Sequence, residues 1–243
     1  APDPSSITPK FNRILFGNTP GTWTLIKEML GMYSRKSNYI NLSDGGHFDN
    51  LGVYEMLRRR CKYIIVADAE ADPLMKFQGL AYIIRLARVD FGIIVEIDLS
   101  DIKLDNVSNL SKNHCVVGTI KYPDDSEIGY IFYCKSSVTG DLPQHLYEYR
   151  IKHPTFPHQT TADQWFDEQQ FEVYRELGYH VGRESVRPVT SLSNSKIDDK
   201  MSTEDVFVQL KQHWYPSPPD MEERSTRYAN ELNRIIEHIK NDQ

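Results

Sequence analysis

A chain of 243 residues with 28 basic and 34 acidic side chains has a formal net charge of -6, and it is long enough for one sizeable α/β core plus an appendage. That balance argues against a general nucleic-acid surface. The one dense basic run, Arg58-Arg59-Arg60 with Lys62, falls at the end of a predicted helix, where cations suit the helix dipole.

The first predicted element is a helix over 23–30, started near Pro20-Gly21-Thr22. Tyr39-Ile40-Asn41-Leu42 then alternates large and polar residues and predicts a strand over 39–43. It runs into Ser43-Asp44-Gly45-Gly46-His47-Phe48-Asp49-Asn50, after which Leu51, Val53, Tyr54, Met56 and Leu57 recur at helical spacing, so a helix is expected over 50–60. Asp44 is therefore expected at the carboxyl end of a strand. Ligands bind at that edge in open α/β sheets, and glycines beside it let backbone or substrate approach closely. A purely structural reading makes Asp44 and Asp49 or Asn50 helix caps and Gly45-Gly46 a turn, although capping alone needs only one of these residues.

Strand 62–68, helix 74–89 and strand 91–98 continue the alternation, with Ile64-Ile65-Val66 and Ile93-Ile94-Val95 as buried apolar runs, and parallel pairing through crossovers is expected. Asp68, Glu70 and Asp72 lie before Pro73. They fail the EF-hand pattern and are read as acids at a helix N-terminus, with lining of the Asp44 sheet edge as the alternative. Residues 115–122 and 129–137 are expected to form an antiparallel pair around the turn Tyr122-Pro123-Asp124-Asp125-Ser126-Glu127.

A helix carrying Leu146, Tyr147 and Tyr149 follows Leu142-Pro143, and then comes an irregular proline-containing loop. Thr161, with Gln164 in a capping box, is expected to open a helix whose apolar side is Phe166, Phe171, Val173, Tyr174 and Leu177 and which ends at Gly178. The stretch 191–196 reads as a linker, 203–214 as a short helix, and 221–240 as an amphipathic helix with Tyr228, Leu232, Ile235, Ile236 and Ile239 on one side.

Cys61, Cys115 and Cys134 cannot all pair and show no metal-ligand spacing, so a reducing compartment is expected. His145, His153 and His158 lack helical ligand spacing and are read as structural, and His47, beside a turn, as a hydrogen-bonding or surface residue. No apolar stretch is long enough to span a bilayer, and Ala1-Pro2-Asp3-Pro4-Ser5-Ser6 lacks the features of a signal peptide.

The D-G-G run followed by H-F-D-N and an apolar helix resembles the aspartate motif of patatin-like phospholipases. Residues 58–69 and 153–167 are similar to two further segments of large bacterial members, so the resemblance spans roughly residues 10 to 187. It implies a three-layer α/β/α fold with a mostly parallel sheet and a C-terminal helical extension. Residues 1–190 would be the C-terminal portion of the hydrolase domain, and 191–243 a linker plus that extension. Asp44 would be the catalytic base for a serine in a G-x-S-x-G elbow. Gly45, Gly46 and Asn50 would shape the turn that substrate approaches, with Phe48 and Tyr39 as candidate apolar walls.

No G-x-S-x-G and no glycine-rich oxyanion loop occur in this sequence, so the nucleophile is expected in an N-terminal part of the same protein. The resemblance further implies lipid ester substrates and no cofactor or metal. It also implies residence in the cytoplasm or on the cytoplasmic face of a membrane, with any membrane association through regions outside this chain. The alternative is a non-catalytic α/β domain that keeps the D-G-G turn and binds lipid or protein.

Overall fold

Seven consecutive residues from Cys115 to Lys121 alternate their side chains across a backbone whose first six positions are all buried, which requires apolar cover on both faces of the sheet. In the computed structural model, which describes residues 26, 27, 29–32, 42, 44–125, 127–160, 162–193 and 201–215, that strand lies inside a four-stranded sheet. The chain divides into two units, Ala1–His47 and Phe48–Gln243. In the first, Ile26, Lys27 and Met29 are helical, within the span of the expected N-terminal helix, and Gly45–His47 forms one 3-10 turn. The expected strand 39–43 falls almost entirely outside the described residues, as does the expected helix 221–240.

The second unit is α/β. Its order is α1 (Val53–Arg58), β1 (Tyr63–Asp68), α2 (Gln78–Phe91), β2 (Ile94–Glu96), β3 (Cys115–Lys121), β4 (Ile128–Lys135), α3 (Gln144–Lys152), α4 (Glu168–Ser193) and α5 (Thr203–Trp214). The strands lie in the order β1-β4-β3-β2. β1 pairs parallel with β4, while β3 pairs antiparallel with both β4 and β2, so the described sheet is mixed. The expected hairpin of β3 and β4 is present.

The direct parallel pairing expected between 62–68 and 91–98 is not what forms. β1 and β2 run in the same direction, as a crossover helix imposes, but the β3–β4 hairpin is inserted between them and places them at opposite edges. The long-range pairing of that hairpin decides adjacency, and no local pattern encodes it.

Alternation distributes three apolar clusters. On one face, Ile64, Val66, Val116, Ile120, Ile131 and Tyr133 pack with Val53 and Leu57 of α1 and with Leu80, Ile83 and Ala87 of α2. On the other, Cys115, Val117 and Phe132 lie under Phe207 and Leu210 of α5. A third cluster joins α3 to α4 through Leu146, Tyr149, Val173, Leu177 and Val181, with Phe156 completely buried among them.

Helix boundaries depart from expectation in α1 and α2, which open at Val53 and Gln78 and not at 50 and 74, and most of all in α4. α4 opens at Glu168, where the Asp167 carboxylate accepts the Gln170 amide at 2.6 Å, and not at Thr161. It then continues through Gly178 and Gly182 to Ser193. Gly178 was the expected stop, and a mid-helix glycine costs about 1 kcal/mol relative to Ala, but burial of Leu177 and Val181 one turn apart outweighs that. Phe166 and Phe171, expected on its apolar side, are exposed. α5 forms over its expected span, closed by a capping box between Ser202 and Asp205.

Candidate functional site

The D-G-G turn is held by its own aspartate. Asp44 Oδ1 accepts the Gly46 amide at 3.0 Å, and Asp44 O lies 3.2 Å from both the His47 amide and His47 Nδ1. An aspartate bonding two residues ahead in this way is an Asx turn, which a short carboxylate makes readily. The Asp44 side chain is exposed. His47 bonds within its own turn, in keeping with the reading of that residue.

Asn50 does not cap the following helix. Asp49 does, accepting the amides of Leu51 at 2.9 Å and Tyr54 at 2.8 Å, while Asn50 Nδ2 donates to Glu70 Oε1 at 2.9 Å. A carboxylate outcompetes a carboxamide here because two amide donors converge on it and the helix N-terminus favours negative charge. The glycine that backbone conformation demands is Gly52, at φ 68° immediately before α1. Phe48 stacks edge-on against Tyr54 at 4.9 Å, and Tyr39 lies outside the described residues.

The acids after β1 have separate duties. Asp68 is no helix-end acid: it is buried at the strand end, where Lys135 Nζ donates to its Oδ1 at 2.8 Å and the Tyr133 hydroxyl bonds its Oδ2. Burial, with the Asp68 charge beside it, pushes the Tyr133 phenol far above its ordinary value, so it stays a donor. Glu70 answers Asn50, and Asp72 accepts the Phe77 amide at 2.6 Å just ahead of α2. Glu70, Asp72, Lys76, Gln78 and Gly79 line an open cleft of about 490 Å³ at this carboxyl end of β1.

The three histidines read as structural do take structural partners. His145 bonds Glu176, and His153 stacks on Tyr149 at 4.1 Å. His158 Nδ1 accepts the Asp72 amide at 3.2 Å, and burial, followed by the Lys135 charge, lowers its pKa to about 4.

A further cluster has no local signature. His114 immediately precedes β3, Asp141 lies in the turn between β4 and α3, and His180 sits midway along α4. Their donor atoms fall within 4.8 Å of one another. Both imidazoles are buried while the Asp141 side chain is more than half exposed. His114 Nδ1 lies 2.9 Å from Ser137 Oγ and its Nε2 2.9 Å from Thr139 Oγ1, which in turn bonds Asp141. Desolvation lowers the His114 pKa to about 4 against the pull of Asp141. These are the residues in the described part with the donor chemistry and spacing to hold a metal ion. Helical ligand spacing, the test applied to the sequence, does not find them because a strand start, a turn and a helix each supply one.

Comparison with family models, curated proteins and solved structures finds no match.

Proposed function

We propose that this chain supplies the base of a patatin-like serine-aspartate lipid acyl hydrolase, with Asp44 in that role. The observation that carries this reading is the D-G-G motif ahead of an apolar helix, with Asp44 exposed and anchored by its own turn through Oδ1. A base must reach its substrate proton while its orientation is fixed, and an Asx turn that uses one carboxylate oxygen leaves the other for chemistry. Asp44 accepts the proton of a serine hydroxyl as that oxygen attacks the ester carbonyl. It then returns the proton to the departing alcohol, and finally deprotonates the water that releases the acid.

The serine belongs to a G-x-S-x-G elbow outside this sequence, and the finer architecture proposed with it is a three-layer α/β/α fold whose mostly parallel sheet extends the four-stranded mixed sheet described. β1 supports that extension. Among the described residues it pairs on one side alone, with β4, which leaves an edge that a further strand can pair with, and its Ile65, 67% exposed, lies on a sheet face that a further layer would cover. No described helix is long and apolar enough to cross a membrane. The reading places the protein in the cytoplasm or on the cytoplasmic face of a membrane, with any membrane association through regions outside this chain. Substrates are lipid carboxylic esters, with neither cofactor nor nucleic acid involved.

The test is Asp44→Asn in a protein that carries both this chain and the G-x-S-x-G serine. Hydrolysis of lipid esters is expected to fall by about 100-fold or more, with lipid binding kept. Near-normal turnover in that variant rejects Asp44 as the base. Absence of any acyl hydrolysis in the unsubstituted protein favours the second reading, a lipid- or protein-binding α/β domain that keeps the turn.

A further inference from the structure

His114, Asp141 and His180 play no part in the acyl-transfer chemistry, and they come together from three separate elements. We propose that they bind a single divalent first-row transition cation, with Zn²⁺ as the reference ion, and leave one coordination position open to solvent. This goes beyond the hydrolase reading and stands or falls separately from it.

Ligand geometry is the first ground. His180 Nε2 is 3.4 Å from Asp141 Oδ2, and His114 Nε2 is 4.0 Å from Asp141 Oδ1. Ligands bound at about 2.1 Å in a tetrahedral shell stand about 3.4 Å apart. The two contacts reach different oxygens of Asp141, and with one donor atom from each residue the three lie within 4.8 Å of one another, so a modest closure onto one oxygen brings them to that spacing. Two imidazoles and a carboxylate are donors that suit Zn²⁺, Fe²⁺ or Ni²⁺ and are a poor set for Mg²⁺ or Ca²⁺, which take oxygen ligands.

The second ground is independent of the first. His180 is 94% buried by residue, yet among the described residues its Nε2 has no hydrogen-bond partner, even though a carboxylate oxygen is 3.4 Å away. The approach lacks the alignment of a hydrogen bond. A buried ring nitrogen in that state calls for something else to engage it, and a cation that takes its lone pair does so.

For His114 the surroundings supply the outer contact a bound imidazole requires. When His114 Nε2 gives its lone pair to the ion, its remaining ring proton is on Nδ1 and donates to Ser137 Oγ, which is 2.9 Å away and completely buried. Thr139 surrenders its contact with His114 Nε2 and keeps its bond to Asp141, fixing the carboxylate. The exposed side of Asp141 leaves room for water at the remaining position, the arrangement of sites with three protein ligands.

The experiment is a Zn²⁺ titration of the chelator-stripped protein against a competing chromogenic chelator, with Co²⁺ substitution read by visible absorption. One ion per chain is expected, with Co²⁺ bands of four- or five-coordinate intensity. Asp141→Asn and His180→Asn are each expected to weaken binding about tenfold or more. Ser137→Ala should weaken it by about 10-fold through the outer contact, while His145→Gln at the exposed Glu176 pair leaves it unchanged. If a histidine variant misfolds, the unsubstituted Co²⁺ protein still decides by NMR. The solvent-shielded imidazole N–H proton of His114, bonded to Ser137, shifted by the paramagnetic ion supports the site, and its absence rejects it. Failure to bind one equivalent of Zn²⁺, or affinity unchanged in both Asp141→Asn and His180→Asn, overturns the proposal.

Discussion

Lys135 Nζ lies 2.8 Å from Asp68 Oδ1, with both side chains 1% exposed. The same ammonium donates to the Glu70 carbonyl at 2.9 Å, so the pair ties the end of β4 to the loop that leaves β1. Replacing Asp68 by Asn strands a buried cation, and a loss of about 3–5 kcal/mol is expected. The double substitution Asp68→Leu with Lys135→Met removes both charges and should recover most of that loss in urea unfolding. Equal destabilisation by the single and double variants contradicts this account. Turnover measured on Asp68→Asn therefore has to be read beside its stability before the acidic cluster is given any part in chemistry.

The start of α1 rests on Asp49 and Gly52. Asp49→Ala removes the acceptor for two amides and should cost about 1–2 kcal/mol. Gly52→Ala forces a Cβ into the left-handed region and should cost about 1 kcal/mol. Asn50→Ala leaves the cap intact and is expected to change thermal stability less than Asp49→Ala. The reverse order would show that the amide, and not the carboxylate, starts the helix.

Stability should depend on pH through His158. Its folded pKa of about 4 lies below the unfolded value of about 6.5, so between those values the unfolded chain binds a proton that the folded one refuses. This contribution is complete above pH 6.5 and declines as pH falls toward 4, by about 3 kcal/mol in all. Urea unfolding of the wild type and of His158→Gln at pH 7 and pH 4.5 checks the sign. The variant should lose less stability on acidification, and an identical loss in both proteins removes His158 as a cause.

Phe207 of α5 is buried against Cys115, Val117 and Phe132, with its ring 4.7 Å from that of Tyr63. Phe207→Ala should cost about 3–5 kcal/mol, the range for a buried aromatic. Ending the chain at residue 200 should expose this face and increase binding of a hydrophobic dye. If the truncated chain melts unchanged, residues 201–215 are an appendage and no part of the core.

Residues close in sequence declared much of this molecule. The apolar run of β1, the segments of β3 and β4 with the Pro123-Asp124 turn between them, and the helical span of α5 follow from interactions spanning a few residues, and they appear near their expected places. The D-G-G turn belongs with them, since an Asx turn needs only Asp44 and Gly46. Tertiary structure decided the rest. Insertion of the β3–β4 hairpin set the strand order, and burial of Leu177 and Val181 carried α4 past Gly178. Pairing β1 with β4 brought Lys135 to Asp68, and the meeting of a strand start, a turn and a helix placed His114, Asp141 and His180 around one point. Local propensity is settled by neighbours in the chain. Which charges share a buried spot depends on how distant segments pack, and periodicity carries no trace of that.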